Sequence, residues 1–168
     1  DNFRWKPHHG GGALWDVGIY TLSPIMEFLD NPSVCNVTSA SGRSAVDVTT
    51  SVTLATEEAT ATALCSFEMT ERQLLEIRGT AGTILVPRAY TPSIEDDHYT
   101  VEHADGSQDR IVTGGADPYR RMLETFADAC RGHAGWPRGQ AATLAMVGQI
   151  IEILSMTDNG AAPMRSRD

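Results

Sequence analysis

No Gly-x-Gly-x-x-Gly run occurs anywhere in these 168 residues, so the tight turn that brings a helix N-terminus onto a dinucleotide pyrophosphate is missing from the chain. Long apolar runs are missing too. None approaches the roughly 20 residues that a membrane-spanning helix needs. Basic residues are scarce, 13 Lys and Arg against 22 Asp and Glu for a formal net charge of -9. A field of that sign repels nucleic-acid phosphates and anionic membrane surfaces, so neither is an expected partner. Cysteine is limited to Cys35, Cys65 and Cys130, widely separated and odd in number. That pattern argues against a disulfide framework and for reduced thiols in a cytoplasmic protein. Cys65 and Cys130 read as small buried hydrophobes. There is no Cys-x-x-Cys, and the five histidines are dispersed apart from His8-His9, so no metal site is expected.

What is present suits one compact domain. A chain of 168 residues, 41% of them hydrophobic, lies in the ordinary size range for a single core. Its most informative stretch is residues 10 to 20, Gly-Gly-Gly-Ala-Leu-Trp-Asp-Val-Gly-Ile-Tyr. Three glycines open a helix and let backbone approach a ligand, and the spacing of four places Asp16 and Tyr20 on one helical face. A carboxylate beside a phenol is equipped to handle protons at a bound hydroxyl. The alternative reading is a plain loop followed by a solvated pair.

The segment before the run reads as extended to Pro7, followed by a helix from about Gly12 to Leu29. Pro24 falls inside that helix and predicts a kink or break near Thr21 to Ser23. From Val34 to Val112 the period becomes alternating. Val48, Thr50, Val52 and Leu54 share one parity, as do Ala61, Ala63, Cys65, Phe67 and Met69, with Glu57-Glu58 turning between them. Leu74 to Arg78 with Thr83 to Val86, and Tyr99 to His103 with Arg110 to Val112, give two further hairpins. Asp117-Pro118 then starts a helix with the stripe Met122, Leu123, Phe126 and Ala127, ended by Gly132. A last helix from about Arg138 to Met156 is expected to turn Leu144, Val147, Ile151 and Leu154 inward, with a frayed tail from Ala161 to Asp168. The predicted fold is an α+β two-layer sandwich, a mainly antiparallel sheet with helices on one face.

Asn2-Phe3-Arg4-Trp5-Lys6-Pro7 and the glycine run through Leu22 closely resemble the segment that begins the second domain of the glucose-fructose oxidoreductase, inositol dehydrogenase and MocA family (Gfo/Idh/MocA). Leu75-Glu76-Ile77-Arg78-Gly79-Thr80-Ala81-Gly82-Thr83-Ile84 resembles that family's strand, Gly-Thr-x-Gly turn and strand, and Tyr119 to Gly132 with the helix up to Gly160 resembles its closing helices. The resemblance implies an open-faced sheet whose bare face serves homo-oligomer contacts. It also implies that residues 1–168 form a single C-terminal substrate-binding and oligomerisation domain. The abrupt start at Asp1 is read as that of a fragment, expected to be inactive alone, with the Rossmann domain that binds NAD or NADP lying upstream.

The activity implied is hydride transfer between a nicotinamide and a sugar, polyol or related alcohol. In the family, proton handling is shared by a lysine of the nucleotide domain and residues of the helix seen here. Asp16 matches the family's aspartate, and Tyr20 matches a position filled by His in inositol dehydrogenases and by Tyr in other branches. These two are the candidate catalytic residues. A free phenol titrates near 10, so Tyr20 acts near neutral pH only with a cation at hand. Arg4, Lys6, Trp15 and Arg72 are candidate substrate contacts, with solvated charge or core packing as the alternative for each. The competing function is a non-catalytic relative that binds a polyol or a protein as a scaffold. A glycine fingerprint and a Glu-Lys-Pro-like motif upstream would discriminate in favour of the enzyme.

Overall fold

The computed structural model describes residues 2–160 except 43, 96 and 137, with the backbone alone for 158–160; the tail expected from Ala161 to Asp168 lies outside the described residues. The chain divides into two compact units, Thr70–Gly139 and the remainder. Antiparallel sheets and helices give the α+β fold, the strands forming one sheet in each unit.

In the first unit, β1 (Ser33–Ser41), β2 (Asp47–Ala55) and β3 (Thr60–Ser66) form a three-stranded antiparallel sheet. Val52 pairs with Val37 on one side and Ala63 on the other. The alternation seen in the sequence is the alternation of burial. Val48, Thr50, Val52 and Leu54 are buried, while Thr49, Ser51 and Thr53 stay partly exposed. Strand pleating sends successive side chains to opposite faces, and only one face meets helices. Against it lie a π-helical turn (Leu14–Gly18), α1 (Ile19–Phe28) and α3 (Gln140–Gly160). Ala13, Leu14, Leu22, Ile25, Met146, Ile150 and Ile153 close the core from the helical side.

Three expectations change here. The segment before Pro7 is not extended: 3₁₀ turns occupy Phe3–Trp5 and Pro7–His9, the first capped by Asn2, whose Oδ1 accepts from the Arg4 amide at 3.0 Å. The expected kink near Thr21 to Ser23 becomes the π turn upstream, after which α1 runs through Pro24 without a break. Gly18 lets the Leu14 side chain pack close beneath the turn, since a Cβ there would lie 2.8 Å from Leu14 Cδ1. Finally, α3 packs Leu154 against the core as expected, but its most buried face lies one position away from the expected stripe. Met146, Gln149, Ile150 and Ile153 are buried, whereas Leu144 and Ile151 are 62% and 56% exposed. Apolar residues surround this helix on several sides, so periodicity alone does not define its inward face.

In the second unit, β4 (Leu74–Gly79), β5 (Gly82–Pro87), β6 (His98–His103) and β7 (Gln108–Val112) follow one another in space as in sequence. Gly82 is required where β5 meets β6, because at φ 155° a Cβ would overlap the Glu102 carbonyl oxygen. Asp117 caps α2 (Pro118–Cys130) as its sequence predicts, its side chain accepting from the Tyr119 and Arg120 amides. The apolar stripe of α2 exists but is not buried: Met122, Leu123 and Phe126 are all more than half exposed. Cys130 is likewise exposed, as is Cys35, while Cys65 is buried as expected.

Candidate functional site

A helix begins with backbone amides that lack intrahelical partners. Gly10 to Ala13 offer no side-chain acceptor for them, so the acceptor comes from elsewhere in the chain. Asp47, the first residue of β2, provides it: its Oδ2 accepts from the Leu14 amide at 2.8 Å. The same oxygen accepts from the Thr50 hydroxyl at 2.8 Å, and Thr50 Oγ1 lies 3.1 Å from Ser39 Oγ. This carboxylate complements the positive end of the helix. No local sequence pattern points to this residue. Its only signal is the absence of a Ser, Thr, Asp or Asn ahead of the helix, which says that a cap is needed without saying whose.

The three glycines act separately. Gly10 turns the chain in the left-handed region at φ 69°. Gly11 sits against the preceding turn, where a Cβ would come 2.6 Å from the Arg4 carbonyl oxygen and 2.8 Å from that of Lys6. Gly12, at φ 121°, has the Asp47 carboxylate in the place of a Cβ. The Gly12 amide donates to Arg4 O at 2.9 Å and the Gly11 amide to Lys6 O at 3.0 Å. The run therefore folds the Arg4 to Lys6 segment back over the first helical turn.

That fold-back brings two candidate residues together. Arg4 Nε donates to Asp16 Oδ2 at 2.6 Å, with the Asp16 side chain 19% exposed. Hydrogen bonding to Asp16 and its charge raise the Arg4 pKa above its ordinary value. Tyr20 lies four residues on, just past the junction of π turn and α-helix, and is 53% exposed. Trp15 is partly buried and packs against the core. Trp5 instead meets Phe67 edge to face, with centroids 5.3 Å apart. Lys6 is partly exposed beside the glycine run, and Arg72 is exposed in the other unit. Beneath the helix, burial and the charge of Asp47 push the Cys65 thiol up to about 12, and Cys65 Sγ donates to Thr50 O at 3.6 Å. Among the described residues no cluster of His, Cys, Asp or Glu is arranged to hold a metal ion, and no helix is long and apolar enough to cross a membrane.

Comparison with known proteins bears on the family and the fold. Residues 1–85 match the model of the GFO/IDH/MocA C-terminal domain. The dTDP-3,4-didehydro-2,6-dideoxy-alpha-D-glucose 3-reductase of Saccharopolyspora spinosa is 31% identical over 137 residues, 80% of this chain and 41% of that protein. D-xylose 1-dehydrogenase (NADP(+)) 2 of Haloferax volcanii is 32% identical over 134 residues, 77% of this chain and 40% of its own length. The chain thus spans about two fifths of the curated relatives it matches. Among solved structures, KijD10, a 3-ketoreductase from Actinomadura kijaniata in complex with NADP and TDP-benzene, superposes with a TM-score of 0.84 at 22% identity over 92% of this chain and 48% of that one. The aldose-aldose oxidoreductase of Caulobacter crescentus, complexed with glycerol, gives 0.79 at 17% identity over 96% of this chain and 50% of its own.

Proposed function

The chain belongs to the GFO/IDH/MocA family, and from that premise we propose that it is the substrate-binding and oligomerising domain of an NAD(P)-dependent oxidoreductase acting on a sugar, polyol or related alcohol. The observation that carries this reading is the Arg4–Asp16 pair at the head of a glycine-opened helix, with Tyr20 one turn further on. Its relatives are named for redox chemistry on xylose and on a nucleotide-linked keto sugar.

The chain's own residues do not suit a dinucleotide. The glycine-opened helix N-terminus already gives its Leu14 amide to a carboxylate, which takes up the positive end and opposes a pyrophosphate. NAD or NADP is assigned to the part of the full-length protein outside this chain, and with it the hydride step.

The work left to the chain is recognition and proton handling. Arg4 holds one Asp16 oxygen and leaves Oδ1 to accept from a substrate hydroxyl, since an ionised carboxylate only accepts. Tyr20 carries the proton of the reacting oxygen, aided by a cation from the nucleotide half. Lys6, beside the glycine run, is a further substrate contact in this reading. The open face of the β1 to β3 sheet, where Leu64 is 48% exposed, is assigned to contacts with a second copy. Three free thiols fit the cytoplasm.

Assay of the full-length protein for nicotinamide oxidation or reduction against aldoses, polyols and nucleotide-linked keto sugars tests the proposal. Turnover with one class supports it. Binding of a polyol without turnover, with either cofactor, would favour the scaffold reading instead.

A further inference from the structure

The Arg4–Asp16 pair stands on a helical turn whose own sequence cannot hold it. Leu14 is the first residue of the π turn, its amide is satisfied by Asp47, and the Asp16 amide bonds to Gly12 O at 3.2 Å. Gly12 also ties back to Arg4 O. Both halves of the pair therefore register against one carboxylate on β2. That carboxylate is itself fixed: Thr50, 1% exposed, donates its hydroxyl proton to Asp47 Oδ2. A hydroxyl has one proton, so Ser39 is the donor in its bond to Thr50. Ser39, Thr50 and Asp47 form a directed chain from β1 through β2 to the helix.

We propose that Asp47 is a positioning residue, one that sets the geometry of the Arg4–Asp16 pair through the Leu14 amide without touching substrate. The inference rests on the functional reading of Asp16 given above. A reacting group displaced by an ångström loses much of the advantage of being held in place, so the anchor governs rate through geometry.

A double-mutant cycle in the full-length protein tests it. Asp47→Ala is expected to lower kcat/KM about tenfold or more. Asp47→Asn, whose carbonyl still accepts from Leu14 and Thr50, is expected to stay within about threefold of wild type. In an Asp16→Asn background Asp47→Ala should change little, because the geometry it protects is no longer used. Hydrogen exchange of the peptide covering residues 12–18 should be faster in Asp47→Ala and near wild type in Asp47→Asn, with the β3 amides unchanged. Asp47→Ser, too short to reach the Leu14 amide, stands in if Asp47→Ala does not fold.

An equal fold-loss in both backgrounds, or an Asn variant as damaged as the Ala variant, would overturn the positioning role. Wild-type turnover in Asp16→Asn beside accelerated exchange in Asp47→Ala would overturn the functional reading of Asp16 and uphold the anchoring.

Discussion

Gly12 and Asp47 compete for one space: a methyl group on Gly12 would overlap Asp47 Oδ1, and Gly12 stands at φ 121°, where side chains are strained in any case. Gly12→Ala must displace the helix cap and pay for the backbone. It is expected to destabilise the full-length protein by about 3 kcal/mol in urea titration. Gly10, at φ 69° with nothing within 4 Å, carries the backbone term alone. Gly10→Ala is expected to cost about 1 kcal/mol.

Tyr20→Phe is expected to lower turnover by about a hundredfold or more while leaving cofactor binding near normal, because it removes the oxygen assigned to proton transfer. Asp16→Asn is expected to raise KM and lower kcat together. Steady-state kinetics with the true substrate decide both, provided circular dichroism shows each variant folded. Near-normal turnover in Tyr20→Phe would reduce that residue to packing or binding.

Cys65 predicts a pH dependence of definite sign. Its thiol is raised from 9.0 to about 12 in the fold, by burial first and by the charge of Asp47 second. Between those values the unfolded chain loses a proton that the folded chain keeps. The contribution of Cys65 is therefore fully present below pH 9 and lost progressively as pH rises toward 12. Urea midpoints measured across that window should fall more steeply for the wild type than for Cys65→Ala. At pH 8 a maleimide should label Cys35 and Cys130, both exposed, and spare Cys65.

This chain alone is expected to show no NAD or NADP binding at micromolar concentration by calorimetry. The glycine-opened helix N-terminus is occupied by a side-chain carboxylate, and no phosphate cradle exists elsewhere in the sequence.

The strands were legible because alternation reports burial directly. The runs through Val52 and Ala63 pair in the structure as their parity requires. Asp117 and Pro118 were legible for a local reason, since a cap three residues or fewer from its amides is written in the sequence. The inward face of α3 was not, because Leu144 and Ile151 are as apolar as Ile150 and Ile153, and only tertiary packing chooses between them. The site divides the same way. Arg4 and Asp16 were both singled out, but their pairing depends on a fold-back through two 3₁₀ turns that no periodicity announces. Asp47 escaped notice because it acts across 33 residues, and capping rules look only to near neighbours.

The hydroxyl chain from Ser39 to Asp47 runs one way, each proton committed to the next oxygen. A mutation on β1 is thus wired to the helix through β2: Ser39→Ala leaves Thr50 with one acceptor site empty inside the sheet, whereas Thr50→Val strips Asp47 of one of its two donors and leaves it the Leu14 amide. Order along the chain of protons ranks Thr50, which bonds the capping carboxylate itself, above Ser39, which bonds only Thr50.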